Sequence, residues 1–317
     1  MVKVAVTGGS GWMAQEVIDK LVATKKHEIL IISRMDPPLN AKVQPGVTWA
    51  KTDYSDKSQL TGLLKGVHTV ICFSTAHSDP GSVSQKLLID SAIAAGVKRY
   101  APNEWSGSSV EELPWYAEKE NVREYLKEIN KEKKVLEYTL FQPGFITDML
   151  APLENVATSR SQELWFDFPN RRAITLKNVD DAFTGTTLND LVNVVVRAVD
   201  YEGEWPVIGG IRGEAVSASE LLEIGKKVRG GKPWDITYLS EADVRADDFE
   251  TPWVPKFVDP NLTDEQNAYF SKVILKGCLL SGVSKSWVVT DDWNRLLPDY
   301  KFTGVEEFLK ERWAGKD

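Results

Sequence analysis

Along the first half of the chain, short runs of β-branched and aliphatic residues alternate with stretches in which apolar residues recur every three or four positions. VKVAVTG, EILIISR, VTWAKTD, HTVICFST, KRYAPNE and EYTLFQPG predict strands. The intervening segments predict helices: one from about Trp12, one from Ser55 to Leu64, one through QKLLIDSAIAAG and one containing Lys119. Several of the strands are apolar on both faces, as in a parallel sheet covered by helices on each side. The expectation is a doubly wound α/β domain over residues 1–150.

After Gly144 the alternation fails, and FITDMLAPLENVATSRSQELWFDFPNRRAITL reads as an excursion of loop, helix and short strands. TTLNDLVNVVVRAVD predicts a helix, with Asn189 or Asp190 near its first turn, and WPVIGG predicts a strand. Residues 176–212 are therefore expected to return to the main sheet. Residues 151–175 and 213–317, with three or more helices and the acidic loop EADVRADDFETPWVPKF, are expected to form a smaller substrate-binding lobe without a flexible linker.

Composition narrows the partners. The 317 residues carry a formal charge of −8, which argues against nucleic acid as the main partner, because phosphate backbones are bound chiefly by Lys and Arg. The two cysteines, Cys72 and Cys278, lie in apolar runs, which suits reduced, buried thiols and a cytoplasmic protein. MVKVAVTGG shows no secretory pattern, and the longest apolar runs are only strand length, so no membrane span is expected. The three histidines, at 27, 68 and 77, and the cysteines do not fall at zinc-site spacings, and no metal is expected.

The first strand and helix enclose Gly8-x-x-Gly11-x-x-Ala14. The chain must turn tightly at Gly8, admit a phosphate close to the backbone at Gly11 and bring helix and strand together at Ala14. The free N–H groups and positive dipole end of the helix then face a pyrophosphate. The pattern predicts a dinucleotide site, with Thr7, Gly8, Gly9, Ser10, Gly11, Trp12 and Met13 as candidate cofactor residues. At the end of the second strand stand Ser33 and Arg34, where NAD-selective proteins place an acid. A guanidinium pairs with a 2′-phosphate that a carboxylate would repel, so NADP(H) is favoured. Asp53, followed by Tyr54, is placed to meet the adenine amine or, equally, to cap the next helix. Ser74, Thr75 and Ala76 follow the fourth strand and face the same crevice. His77, beside Asp79, reads better as a surface residue than as an acid.

Trp115, Lys119, Val122, Leu126 and Ile129 fall on one helical stripe, which turns Lys119 toward the core. Such an ammonium must snorkel out, find an anion such as Glu120 or Glu104, or lower its pKa. Short-chain dehydrogenases carry Tyr-x-x-x-Lys, yet only two residues separate Tyr116 from Lys119, and no tyrosine in the chain has a lysine four positions later.

KRYAPNEWSG and the following EK-x-x-VREYL helix resemble the segments that define the NmrA-like and isoflavone reductase-like atypical short-chain dehydrogenases. TGGSGWMA, YTLFQPGFITD, TTLNDLVNVVVRA, SASELLEIGKKVRGGK and LLPDYKFTGVEEFL extend the resemblance along nearly the whole chain. It implies an NADPH-binding Rossmann domain, a small substrate lobe, and Lys119 contacting the nicotinamide ribose or acting as general acid/base without a partner tyrosine. Asn103, Pro143, Gly144 and Phe145 join the cofactor site on the same basis. Asn103 stands where the family has Ser, Ala14 where Gly is commoner, and Trp12 and Trp105 where Tyr and Phe are usual.

The 11 tryptophans suggest an apolar crevice, with Trp105, Trp115, Phe145, Met149 and Trp253 as candidates to bind a flat aromatic or heteroaromatic metabolite. The expected reaction is hydride transfer to C=C, C=N or C=O, with Lys119 supplying the proton, by a monomer or homodimer in specialised metabolism. Two alternatives stay open: a redox-neutral cyclase or condensing enzyme using Glu104 or Asp148, and a non-catalytic NADP(H) sensor that binds a protein partner.

Overall fold

The computed structural model describes residues 1–37, 45–74, 79–152, 164–258 and 262–316. The chain opens with strands β1 (Lys3–Thr7), β2 (Glu28–Ser33), β3 (Val47–Lys51), β4 (Thr69–Cys72) and β5 (Arg99–Ala101). Helices α1 (Trp12–Thr24), α2 (Lys57–Leu63) and α3 (Val83–Ala95) intervene, and α4 (Ala117–Ile129) leads into β6 (Glu137–Tyr138) and β7 (Leu140–Gln142). The strands pair in parallel in the order β3-β2-β1-β4-β5-β6. This is the expected doubly wound α/β fold. The order reverses between β1 and β4, and a ligand crevice opens outside the C-terminal ends of strands at such a point.

Every residue of β4 is buried, as are the last four of β1, because helices cover both faces of the sheet. On α1 the buried positions Ala14, Val17, Ile18 and Leu21 follow the 3.6-residue period. The helix stops at Lys25, whose left-handed backbone sends its N–H to the Val22 carbonyl. Helix α2 begins at Lys57 and not at Ser55, because the Asp56 carboxylate caps it by accepting from the Ser58 and Gln59 N–H groups at 2.7 and 3.0 Å.

Beyond Gly144 come β8 (Phe145–Ile146), β9 (Phe166–Asp167), β10 (Arg172–Leu176), β11 (Phe183–Thr186), α5 (Leu188–Asp200), β12 (Ile208–Gly210), β13 (Glu214–Val216), α6 (Ala218–Val228), β14 (Asp235–Leu239) and α7 (Glu241–Arg245). Helices α8 (Asp264–Val283), α9 (Asp292–Leu296) and α10 (Val305–Arg312) complete the chain. Of the 176–212 segment, β12 pairs in parallel with β7 in a two-stranded sheet separate from the six-stranded one, and α5 packs on α1, with Leu191, Val194 and Val195 in the core of Val17 and Leu21. Strand β11 departs from the expected return: it forms a separate sheet with β8 and β13, and Phe183 packs beside Trp165 in a second core with Phe168, Leu221, Phe308 and Trp313. Strand β10 lies between β14 and β9 in a third small sheet.

Buried carboxylates tie these parts together. Asp148 accepts the Leu188 N–H at 2.7 Å, and Asp190 accepts from the Tyr300 hydroxyl at 2.7 Å and the Thr303 N–H at 2.9 Å. Thr187 caps α5 through the Asp190 N–H. Cys72 and Cys278 are free and buried. No helix among the described residues is long and apolar enough to cross a membrane, and no group of three metal-ligating side chains occurs among them.

Candidate active site

The glycine loop leaves β1 through Gly8, whose φ of +68° suits a residue without a side chain. A Cβ there would stand 2.7 Å from the Phe73 carbonyl carbon and the Ser74 nitrogen, so the loop lies directly against the end of β4. The Gly11 N–H closes the turn on the Gly8 carbonyl at 3.0 Å, and the Gln15 amide bonds the Gly9 carbonyl. Gly11 is the N-cap of α1, and no side chain covers the first N–H groups of that helix, the arrangement that receives an anion. Thr7 is buried at the foot of the loop, Ser10 is exposed, and Trp12 and Met13 are half-buried.

Ser33 is buried and accepts the Met35 N–H at 3.1 Å. Arg34 is exposed beyond it, with no ion pair among the described residues. A tight glycine turn, uncapped helix N–H groups and a free guanidinium past β2 are the donors that a 2′-phosphorylated dinucleotide requires, and they fit that group.

Two neighbours of the loop are held by local hydrogen bonds. Asp53 caps no helix: its carboxylate accepts the Ser55 N–H at 2.9 Å and hydroxyl at 2.6 Å, and these bonds hold its pKa below the usual value. Tyr54 is buried, with its hydroxyl donating to the Ile32 carbonyl at 2.8 Å, which places the phenol beneath the loop and not at its surface. Thr75, Ala76 and His77 lie outside the described residues, whereas Ser74 is described and half-buried.

At the end of β5 the chain runs through Asn103, Glu104 and Trp105. The Gln85 side chain accepts the Asn103 N–H at 2.9 Å. Lys119 is only 5% exposed, and its amine donates to the carbonyls of Asn103, at 3.3 Å, and of Glu104. Burial pulls its pKa from 10.5 down to about 8, with the Glu104 carboxylate opposing and Arg123 reinforcing the fall. Of the three outcomes open to this amine, pairing with the Glu104 or Glu120 carboxylate does not occur. Both carboxylates are taken by Arg123, which also stands on α4, and Glu104 accepts in addition from the Gln142 amide at 3.2 Å. Sequence reading passed over Arg123 and Gln142. The signal for Arg123 was its position four residues after Lys119, on the same helical face, where two inward cations require a buried anion.

Trp105 does not line a crevice. It is 8% exposed, its indole N–H donates to the Cys72 carbonyl at 2.7 Å, and its ring stacks on Phe73 with centroids 4.3 Å apart and on Phe141 at 5.4 Å. The ring therefore ties the segment after β5 to the end of β4, the same end against which the Gly8 turn lies. Gly144, at φ +71°, bonds the Ser106 carbonyl through its N–H at 3.1 Å, and a Cβ there would stand 3.0 Å from the Trp287 carbonyl. Pro143 precedes it and is buried.

The remaining aromatic candidates, Trp115, Phe145 and Trp253, pack against the second core. Phe145 faces Trp165 at 6.1 Å and borders an apolar cavity of about 10 Å³ with Leu150 and Val305, at the lower limit for one water. Met149 packs against the first core. Trp253 lies under the Arg172 guanidinium, 4.0 Å away, in the second. Trp105 and Met149 thus belong with the first core, and Phe145 and Trp253 with the second. Trp115 sits in a 3₁₀ turn, Pro114–Tyr116, before α4, with its ring against Gly277. Beside it a cavity of about 480 Å³ is bordered by Glu112, Pro114, Asp247, Tyr269, Lys272 and Lys276.

Glu104 and Asp148, the acids that a redox-neutral reaction would use, are committed to Arg123 and to the Leu188 N–H. Burial raises the Asp148 pKa.

Comparison with known proteins agrees with this fold. Oxidoreductase BOA1 of Botryotinia fuckeliana is 30% identical over 235 residues, covering 73% of this chain and 77% of that protein. The NADPH-dependent quinone oxidoreductase of Escherichia coli, solved with NADPH, superposes with a TM-score of 0.67 at 21% identity, covering 97% of this chain and 99% of its own. The Citrobacter sp. triphenylmethane reductase, solved with NADP(H), gives 0.68 at 19% identity, covering 98% and 99%. The NmrA-like family model matches residues 2–309, and the chain belongs to the NmrA-like family.

Proposed function

We propose that this protein is an NADPH-dependent reductase of a small aromatic or heteroaromatic metabolite, with Lys119 as the proton donor. The carrying observation is the buried Lys119 amine, held on the Asn103 and Glu104 carbonyls at the strand ends where the glycine loop also lies. When bound, NADPH supplies a hydride to an electrophilic carbon. The glycine loop and the N-terminus of α1 would hold its pyrophosphate and Arg34 its 2′-phosphate.

Lys119 meets the electron density that hydride addition leaves on a carbonyl oxygen, imine nitrogen or conjugated carbon. With its pKa near 8 it is predominantly an ammonium at neutral pH, and a readier acid than a solvated lysine. Of its three N–H bonds, two are fixed on carbonyls and position the third. The 480 Å³ cavity beside Trp115 falls within the size range of small-molecule sites, and we take it, with the second core that supplies its α8 wall, as part of a substrate lobe. Relatives named for quinones and triphenylmethane compounds support an aromatic acceptor.

The test is NADPH absorbance in the presence of quinones, triphenylmethane dyes and aromatic carbonyls. Consumption that Lys119→Met abolishes, with NADPH affinity retained, supports the reading. Product without NADPH consumption would favour redox-neutral chemistry, and binding without either would favour a sensor.

A further inference from the structure

The separation between Tyr116 and Lys119 has a geometric consequence. A tyrosine four residues before a lysine sets its phenol oxygen beside the amine. Here Tyr116 ends the 3₁₀ turn at φ −107°, ψ 3°, and α4 begins at the next residue. The three-residue step lays the face of the ring under the amine, with Nζ 4.3 Å from the ring centroid. That is the arrangement in which the negative face of an aromatic ring attracts a cation.

The ring is held before any ligand arrives. The Tyr116 N–H donates to the Leu113 carbonyl at 2.9 Å. Trp115 meets the ring edge-on at 5.8 Å and Trp287 at 6.3 Å, and the Trp287 indole is itself anchored on the Ser281 hydroxyl at 2.7 Å. Burial drives the phenol up to about 12, which leaves it neutral and a weaker acid than the Lys119 ammonium. The charged and titratable groups that act on Lys119 are the Glu104 carboxylate from the β5 loop, Arg123 from α4 and the Cys72 thiol from β4. None of them lies within ion-pair distance of Nζ among the described residues.

We propose that Tyr116 is a positioning residue for Lys119: its ring face keeps the amine charged and aimed, and its hydroxyl is dispensable. The proposal rests on reading Lys119 as the proton donor, but it can be tested apart from turnover. The pKa of Lys119 is measured in the cofactor-free protein from the pH dependence of its trace acetylation, read by peptide mass spectrometry. Tyr116→Phe should retain the wild-type value. Tyr116→Leu should lower it by about one pH unit, tenfold in the proton affinity. If Tyr116→Leu does not fold, fluorinated phenylalanines at position 116 weaken the ring's negative face without changing its shape, and the pKa should fall stepwise with fluorine number. The pH midpoint of kcat should follow the same order. An unchanged pKa across the fluorinated series overturns the proposal, as does a Tyr116→Phe enzyme that loses turnover while its Lys119 pKa is intact. A wild-type protein without turnover would instead count against the reductase reading, and the labelling result would still decide the role of Tyr116.

Discussion

Lys119→Met should yield a protein that is catalytically dead yet more stable at neutral pH, with an advantage that disappears in base. The folded chain holds Lys119 at a pKa of about 8, below the ordinary 10.5. That difference corresponds to about 3 kcal/mol at 1.36 kcal/mol per pH unit. The sign follows from proton binding. Between pH 8 and 10.5 the unfolded chain binds more protons at this residue than the folded chain, so wild-type stability rises with pH through that window. Methionine carries no such dependence. At pH 7 the variant escapes the cost of the buried charge but leaves the Asn103 and Glu104 carbonyls without their donor, a loss of about 1 kcal/mol each. The net gain is on the order of 1 kcal/mol. The pH dependence is freer of such offsets, since other titrating groups cancel between the two proteins. Urea unfolding of both proteins from pH 7 to pH 9.5 should show the gap moving toward the wild type by about 2 kcal/mol. A gap that stays constant would mean that the amine keeps an ordinary pKa, and the reasoning from its burial would fail.

The other predictions concern the loop and its neighbours. Arg34→Ala should weaken NADPH binding tenfold or more in calorimetry and leave NADH unchanged; parallel loss of both would show that Arg34 does not select the 2′-phosphate. Gly8→Ala combines φ +68° with a backbone clash at 2.7 Å, and should cost about 2 kcal/mol or more in urea unfolding and abolish cofactor binding; a variant as stable as the wild type would refute the tight turn. Trp105→Phe should lower stability by about 1–3 kcal/mol, because the Cys72 carbonyl loses its buried donor, with KM for substrate unchanged; a raised KM at intact stability would return the ring to the substrate site.

The parallel sheet and the glycine loop were legible in the sequence because their signals are local. Apolar runs such as TVIC and the 3.6-residue period of Ala14, Val17, Ile18 and Leu21 need no knowledge of distant residues. The inward turn of Lys119 was legible for the same reason, since Val122 and Leu126 share its face. Trp105 was not. Whether its indole faces a crevice or the core depends on Phe73 and Phe141, which reach it from just beyond β4 and from β7, and on a backbone φ of +36° that nothing nearby in the sequence announces. The neighbours of Trp253 and Phe145 were equally illegible: each is apolar and near a strand end or lobe segment, and only tertiary structure brings Arg172 to the one and Trp165 to the other.

The arrangement around Glu104 explains why burial outweighs every neighbouring charge in setting the Lys119 pKa. A lone buried carboxylate would stabilise the ammonium and hold the pKa high. Arg123 pairs with that carboxylate and opposes its field at the amine, so Glu104 and Arg123 act on Lys119 with opposite signs. Glu104 then contributes through its main chain, where its carbonyl accepts from the amine. The amine is therefore held by dipoles and a ring face and not by a counter-ion. Carbonyls and an aromatic face orient a cation without adding a net negative charge, so the amine can give up its proton without stranding an uncompensated carboxylate beside it. A direct Lys119–Glu104 ion pair would fix the amine as firmly but make it a weaker acid, and the place of Arg123, one helical turn after Lys119, prevents that pairing.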